Sequence, residues 1–208
     1  MRQCGNASGS TLWNCSRVEA VRVVAGSAKG RPLVAPKGRT ARPTLQHVKE
    51  SMFNILAGRV SGARVLDLFA GAGSLGIEAL SRGASECVFV DSDFRCTRAI
   101  ERNLQATELS DRARVYRMDV YRAVDMLGNS GMRFDLIFAD PPYEKGHESA
   151  LLLRLADGLL LASGGMVILE HSRRTETPEA IGRLVRGSVR EYGDTYVSLY
   201  ALGSEGEE

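Results

Sequence analysis

Four consecutive residues, Asp140-Pro141-Pro142-Tyr143, follow the apolar run FDLIFA at 134–139. A carboxylate, a carbonyl pinned by prolines and an aromatic ring thus stand together at the end of a strand-like segment. That set suits alkylation of an exocyclic amine on a nucleobase. Such an amine is a poor nucleophile, because its lone pair is delocalised into the ring. Acceptors placed around the NH₂ favour a pyramidal nitrogen and polarise it toward the incoming carbon. The Asp140 carboxylate and the Pro141 carbonyl can be those acceptors, and the fixed φ of Pro141 and Pro142 keeps them aimed. Tyr143 offers a face on which a base taken out of its helix can stack. The plainer alternative is a turn whose tyrosine packs on the surface.

A second set lies upstream, in VLDLFAGAGSLG. Gly71, Gly73 and Gly76 fit G-x-G-x-x-G between a strand and a helix, where a ligand can approach the backbone closely at a helix N-terminus. Asp91 ends the next strand, 18 residues beyond Gly73, where an acid can bind ribose hydroxyls. Asp119 ends the third strand and can accept from an adenine amino group. Asp67 sits inside the first strand, below the glycine turn. A carboxylate there suits a ligand with positive charge and suits a pyrophosphate poorly. The balance favours S-adenosylmethionine, with its sulfonium and amino group, over NAD.

The elements that must position these residues follow from periodicity. Segments 64–69, 87–91, 113–118, 134–139 and 165–171 read as strands. Helical patterns stand between them at 73–83, 93–107, 147–162 and, shorter, after Asp119. PEAIGRLVR (178–186) reads as a further helix, and GSVREYG and TYVSLYAL as a final strand pair. Repeated βα units predict an α/β fold, a mostly parallel sheet covered on both faces. The tight last connection predicts one antiparallel strand. Upstream, VRVVAG and RPLVAP predict a short hairpin across SAKG, and TLQHVKESMFNILAGRV a helix.

Composition sets the limits. The chain has 208 residues and is 44% hydrophobic, ordinary for one domain with a modest appendage. No apolar run approaches a membrane span, and the first twenty residues lack the apolar centre of a secretory signal. Cys4, Cys15, Cys87 and Cys96 show no C-x-x-C pairing, and His47, His147 and His171 are scattered. A reducing cytoplasm is expected, with no disulfide framework and no metal site. Net charge is +2, but residues 21–50 carry Arg22, Lys29, Arg31, Lys37, Arg39, Arg42 and Lys49 against the single acid Glu50. A basic block of +6 on a body of −4 predicts a polyanionic partner. The expected division is a disordered leader at 1–20, a basic hairpin and helix at 21–58, a catalytic domain at 59–203 and a frayed tail at 204–208.

The motifs resemble the amino-methyltransferases of the Rossmann-like, S-adenosylmethionine-dependent class, which carry [DNS]-P-P-[YFW]. From Arg22 to about Leu202 the chain resembles one family in that class, the bacterial 16S rRNA guanine-N2 methyltransferases, RsmD. RVVAGSAKGRPL, RPTLQHVKESMFNIL, VLDLFAGAGSLGIEALSRGA and FDLIFADPPY carry the resemblance. It implies seven strands in the order 3-2-1-4-5-7-6. It implies methylation of one guanine 2-amino group of small-subunit rRNA, within an assembled or assembling 30S particle, by a monomer. By position, Asp67, Phe69, Ala70, Gly71 and Gly73 would form the cofactor loop. Asp91 would hold the ribose, Met118 and Asp119 the adenine, and Asp140 to Tyr143 would meet the target amine, with Asp140 also bordering the cofactor. Two departures stand out. Leu45-Gln46-His47 replaces the family's usual Thr-Asp-Arg, and Asp91 is one carbon shorter than the common glutamate. Three other readings remain open: a DNA adenine-N6 methyltransferase, an NAD-dependent dehydrogenase, and an RNA-binding assembly factor without catalysis.

Overall fold

The structure, a computed structural model, describes residues 21–36, 43–142 and 146–203, with no side-chain description for 43–45. The predicted leader at 1–20, the tail at 204–208, and Lys37, Arg39, Arg42 and Tyr143 lie outside the described residues. A helix, α1 (Pro43–Ile55), precedes four βα units and a fifth strand: β1 (Arg64–Leu68), α2 (Ser74–Ser81), β2 (Glu86–Asp91), α3 (Phe94–Thr107), β3 (Ala113–Arg117), α4 (Val120–Asn129), β4 (Phe134–Ala139), α5 (His147–Leu155) and β5 (Leu161–Ser172). Three further strands follow: β6 (Ala180–Ile181), β7 (Leu184–Tyr192) and β8 (Thr195–Leu202).

All eight strands join one sheet in the order β3-β2-β1-β4-β5-β8-β7-β6. Strands β1 to β5 run parallel, and β8 runs antiparallel to both β5 and β7. Alternation with period two assigns side chains to opposite faces. Val65, Cys87, Phe89, Leu136 and Phe138 pack under α1, α2 and α3. Leu66, Leu68, Val88, Val90, Ile137 and Ala139 pack under α4 and α5. Both faces are therefore covered, as the repeated βα pattern predicts.

Two expectations need correction. The helix predicted over 178–186 does not form, and β6 and the start of β7 occupy its place. Gly182 sits at φ +54°, and a Cβ there would meet the Ala156 carbonyl oxygen at 2.7 Å. The Arg183 N–H donates to the same carbonyl at 2.8 Å, fixing a turn where a helix would have to continue. This adds the eighth strand; with β6 set aside, the strand order is the one the resemblance implies. The second correction is the N-terminal hairpin. Residues 21–36 fold back through a single bridge, Arg22 to Pro32, without two strands. The segment is held by helices instead. Val24 and Ala25 N–H groups donate to the Glu78 carboxylate, and the Ala28 N–H donates to Ser81 Oγ. Gly26 permits this approach, since a Cβ there would lie 1.8 Å from the Ser81 carbonyl oxygen. Val23, Ala28 and Leu33 thereby enter the same apolar cluster as α1 and the sheet.

Candidate active site

The C-terminal ends of β1, β2, β3 and β4 form one edge, where ligands of open α/β sheets bind. A cleft lined by Arg59, Ser61, Asp135 and Gly164 lies at the opposite edge. After β1 the backbone turns through positive φ at Phe69 (56°), Gly71 (58°) and Gly73 (76°). Positive φ at a phenylalanine is uncommon and marks a turn held by its surroundings. Part of that hold is Asp91. Its Oδ2 accepts the Gly71 N–H at 2.9 Å, and its Oδ1 accepts the Asp93 N–H at 2.8 Å. Asp91 braces the glycine turn as well as standing where a ribose hydroxyl could reach it; a carboxylate has further lone pairs to offer. Ala70 is buried beside the turn, and its N–H donates to the Val90 carbonyl. Gly76 packs α2 onto β2, since a Cβ there would lie 2.3 Å from the Phe89 ring.

Asp67 is 3% exposed, and its Oδ2 accepts the Gly76 N–H at 2.9 Å. Burial pushes its carboxyl up to about 8; the Gly76 bond opposes the shift, while the nearby Asp140 and Asp91 charges add to it. Asp67 thus feels both Asp91 and Asp140 across the ends of β1, β2 and β4. Asp119 is exposed and caps α4, accepting from the Tyr121 and Arg122 N–H groups at 3.1 Å. The Met118 N–H donates to the Asp91 carbonyl at 3.2 Å, holding the two neighbouring loops together. Across β1, Ala139 pairs with Leu68, and the Asp140 N–H points at the Leu68 carbonyl at 3.5 Å. The Asp-Pro-Pro turn therefore leaves the sheet directly beside the glycine turn, with Pro141 buried and Asp140 half-buried.

An aromatic group that the sequence does not reveal joins these loops. The His147 ring lies 5.6 Å from Phe69 and 5.9 Å from Tyr121, and its Nδ1 is 2.7 Å from the Tyr121 hydroxyl. Burial, with the charges of Asp119 and Glu148, raises the Tyr121 phenol. Tyr121 and His147 open two helices that follow different strands, so only the sheet order brings them together. Their position at helix starts on the binding edge is the one signal that could have flagged them.

The basic residues separate into groups. Arg22 and Lys29 are exposed, and Arg22 donates to the Gly30 carbonyl at 3.0 Å. Arg31 is half-exposed and paired with Glu108 at 2.8 Å. Lys49 departs from expectation. It is 3% exposed, and its Nζ donates to the Arg22 carbonyl at 2.8 Å and to Ser74 Oγ at 3.2 Å, with Glu78 Oε2 at 3.4 Å. Burial depresses its ammonium while the Glu78 carboxylate opposes that shift. Lys49 is an interior brace, not part of a phosphate-facing surface. Among the described residues no group of three or more His, Cys, Asp or Glu could hold a metal ion, and no helix is long and apolar enough to cross a membrane.

This sheet order, with a glycine turn after β1 and an Asp-Pro-Pro turn after β4, is the architecture of the Rossmann-like methyltransferases. The yhhF structure from Escherichia coli, named provisionally as a methyltransferase, has it: TM-score 0.75 at 30% identity, covering 89% of this chain and 99% of that one. YlbH of Bacillus subtilis strain 168, named provisionally as an rRNA methyltransferase, is 44% identical over 86% of this chain and 98% of its own length. Ribosomal RNA small subunit methyltransferase D of Escherichia coli K12 is 30% identical over 90% of this chain and 92% of its own. The family model described as conserved hypothetical protein 95 matches residues 21–201. The chain belongs to that family, the RsmD family.

Proposed function

We propose that this chain is an S-adenosylmethionine-dependent methyltransferase of 16S rRNA that modifies the 2-amino group of a guanine. The observation that carries the reading is the adjacency of the two turns: Asp140 leaves β4 beside Leu68, where β1 enters the glycine turn. A donor held by the first turn and an amine held by the second would meet across one strand spacing, about 4.8 Å.

The residues present fit the cofactor. The positive-φ turn at Gly71 and Gly73 has no side chain at either glycine to hold a ligand off, and Asp67 lies beneath it as a buried acid that a cationic group would help to ionise. Asp67, Phe69, Ala70, Gly71 and Gly73 would hold the methionine portion, Asp91 the ribose, and Met118 and Asp119 the adenine. When bound, S-adenosylmethionine supplies an electrophilic methyl group, which exchanges its bond to sulfur for one to nitrogen as the amine gives up a proton. The chain's own part is orientation. The Asp140 carboxylate and the Pro141 carbonyl accept from the target amine, Pro142 restricts their motion, and Tyr143 provides a stacking face. Residues 21–58 dock the RNA, through Arg22, Lys29 and Arg31 with Lys37, Arg39 and Arg42, and residues 59–203 carry the chemistry. The protein works as a cytoplasmic monomer on an assembled or assembling small subunit, without metal.

The experiment uses tritiated S-adenosylmethionine with 30S particles from cells lacking the endogenous enzyme, beside free 16S RNA and duplex DNA. Label recovered as N2-methylguanosine is the expected result. Label recovered as N6-methyladenine in DNA, or no label despite cofactor binding, overturns the reading.

A further inference from the structure

Phe94, the first residue of α3, is 57% exposed. The Arg117 guanidinium, at the last residue of β3, lies over its ring at 5.6 Å. Arg117 pairs in register with Asp91, so ring and guanidinium stand at the binding edge, one strand (Phe94, after β2) and two strands (Arg117, on β3) outward from the glycine turn. Two strand spacings, about 10 Å, separate the end of β2 from the end of β4, where Asp140 begins. The core makes no use of this ring, which belongs to neither buried cluster.

Charge is distributed in the same direction. Residues 21–36, which lie against α2 and α3, carry three bases and no acid, and residues 93–122 carry seven bases against five acids. Residues 123–203 carry eight bases against eleven acids. The acids at these strand ends already have partners: Asp93 is paired with Arg95 at 2.7 Å, Asp119 caps α4, and Asp91 accepts the Gly71 and Asp93 N–H groups. An RNA strand crossing the binding edge is therefore favoured toward α3 and β3 and disfavoured toward β5 and beyond.

We infer that Phe94 and Arg117 form a stacking platform for an unpaired base of the substrate RNA, neighbouring the target guanine. The inference rests on the rRNA methyltransferase reading and extends it to a second base. Every base has a π face, so an exposed aromatic ring accepts one without reading its sequence. A guanidinium beside the ring adds cation–π attraction and can pair the adjoining phosphate. The platform holds the strand on the far side of the cofactor pocket while the target base reaches the Asp-Pro-Pro turn.

Unmethylated 30S particles and tritiated S-adenosylmethionine test this with the full chain. Phe94→Ala is expected to raise KM for the particle roughly 5- to 100-fold, the range of a lost base–aromatic stack. Cofactor Kd and melting temperature should stay at the wild-type value. Phe94→Leu, which keeps apolar area but has no π face, should share the defect, and Phe94→Trp should remove it. Wild-type KM in Phe94→Ala overturns the platform, and so does full rescue by leucine. A weakened cofactor Kd in Phe94→Ala also overturns it, because the ring would then serve the adenine of the cofactor. If wild-type protein methylates no RNA, the functional reading falls and this inference with it. If wild type methylates and Phe94→Ala matches it, only the platform falls.

Discussion

Asp67 is the residue through which pH acts most directly on this protein. Its carboxyl, ordinarily near 3.8, is held at about 8 by burial. Between those values the folded chain keeps a proton that the unfolded chain has lost, so stability falls as pH rises through the window. The full effect is on the order of 5 kcal/mol. Urea unfolding of the ligand-free protein at pH 5 and pH 8 should show the loss, and Asp67→Asn should flatten it. An unchanged pH profile in the variant would place the effect elsewhere. Cofactor binding should report on the same proton. A cation arriving beside Asp67 favours the carboxylate, so binding at pH 7 should release a proton. Calorimetry in two buffers of different ionisation enthalpy measures that release, and Asp67→Asn should abolish it. Asp140 makes a contrasting case. Asp140→Ala should reduce turnover below detection in the tritium assay while cofactor Kd changes less than threefold, about 0.7 kcal/mol. Normal methylation by that variant would refute the role given to Asp140.

At the scale of elements, one interior ion pair secures the N-terminal segment. Glu78 is fully buried and accepts from Val24 N–H, Ala25 N–H, Arg82 Nε and Lys49. Glu78 keeps Arg82 at 2.7 Å when Lys49 is removed, so Lys49→Ala should cost a lost charged hydrogen bond, about 1.5–3 kcal/mol in urea unfolding. Its effect on the salt dependence of RNA binding should be negligible. Lys29→Gln should behave oppositely. Exposed and in no ion pair among the described residues, it should change stability by less than about 0.5 kcal/mol, while reducing the slope of log K against log salt by about one. If Lys49→Ala flattened the salt slope and left stability intact, the sequence-based assignment of Lys49 to the RNA surface would be restored.

For the whole molecule, the parallel sheet was legible because five apolar segments alternate with helical patterns at βα spacing. The reversed last strand was legible because its connection is too short for a crossover. The glycine turn, Asp91 and the Asp-Pro-Pro turn were legible because each lies at a strand end within a few residues of its motif. What escaped has a common cause, dependence on distant partners. PEAIGRLVR has helical spacing, yet Gly182 is fixed against Ala156, 26 residues earlier in the chain. The hairpin pattern of residues 21–36 was outweighed by hydrogen bonds to α2 and α3. Lys49 reads as one more member of a basic run, and only Glu78, 29 residues on, shows that it points inward. His147 and Tyr121 meet because α4 leads from β3 across to β4 and packs beside α5, which no local pattern encodes.

The ammonium of Lys49 joins Arg22, at the start of the described chain, to Ser74, the first residue of the helix that follows the glycine turn. The two halves of the functional reading therefore share an interior and are not modular. A fragment beginning at Arg59 would bury Glu78 without Lys49 and without the Val24 and Ala25 N–H groups, and the helix behind the cofactor turn would lose its anchor. Exchanging the N-terminal segment between relatives should succeed only when positions 49 and 78 travel together, so that a new N-terminal segment brings with it a matched helix behind the glycine turn.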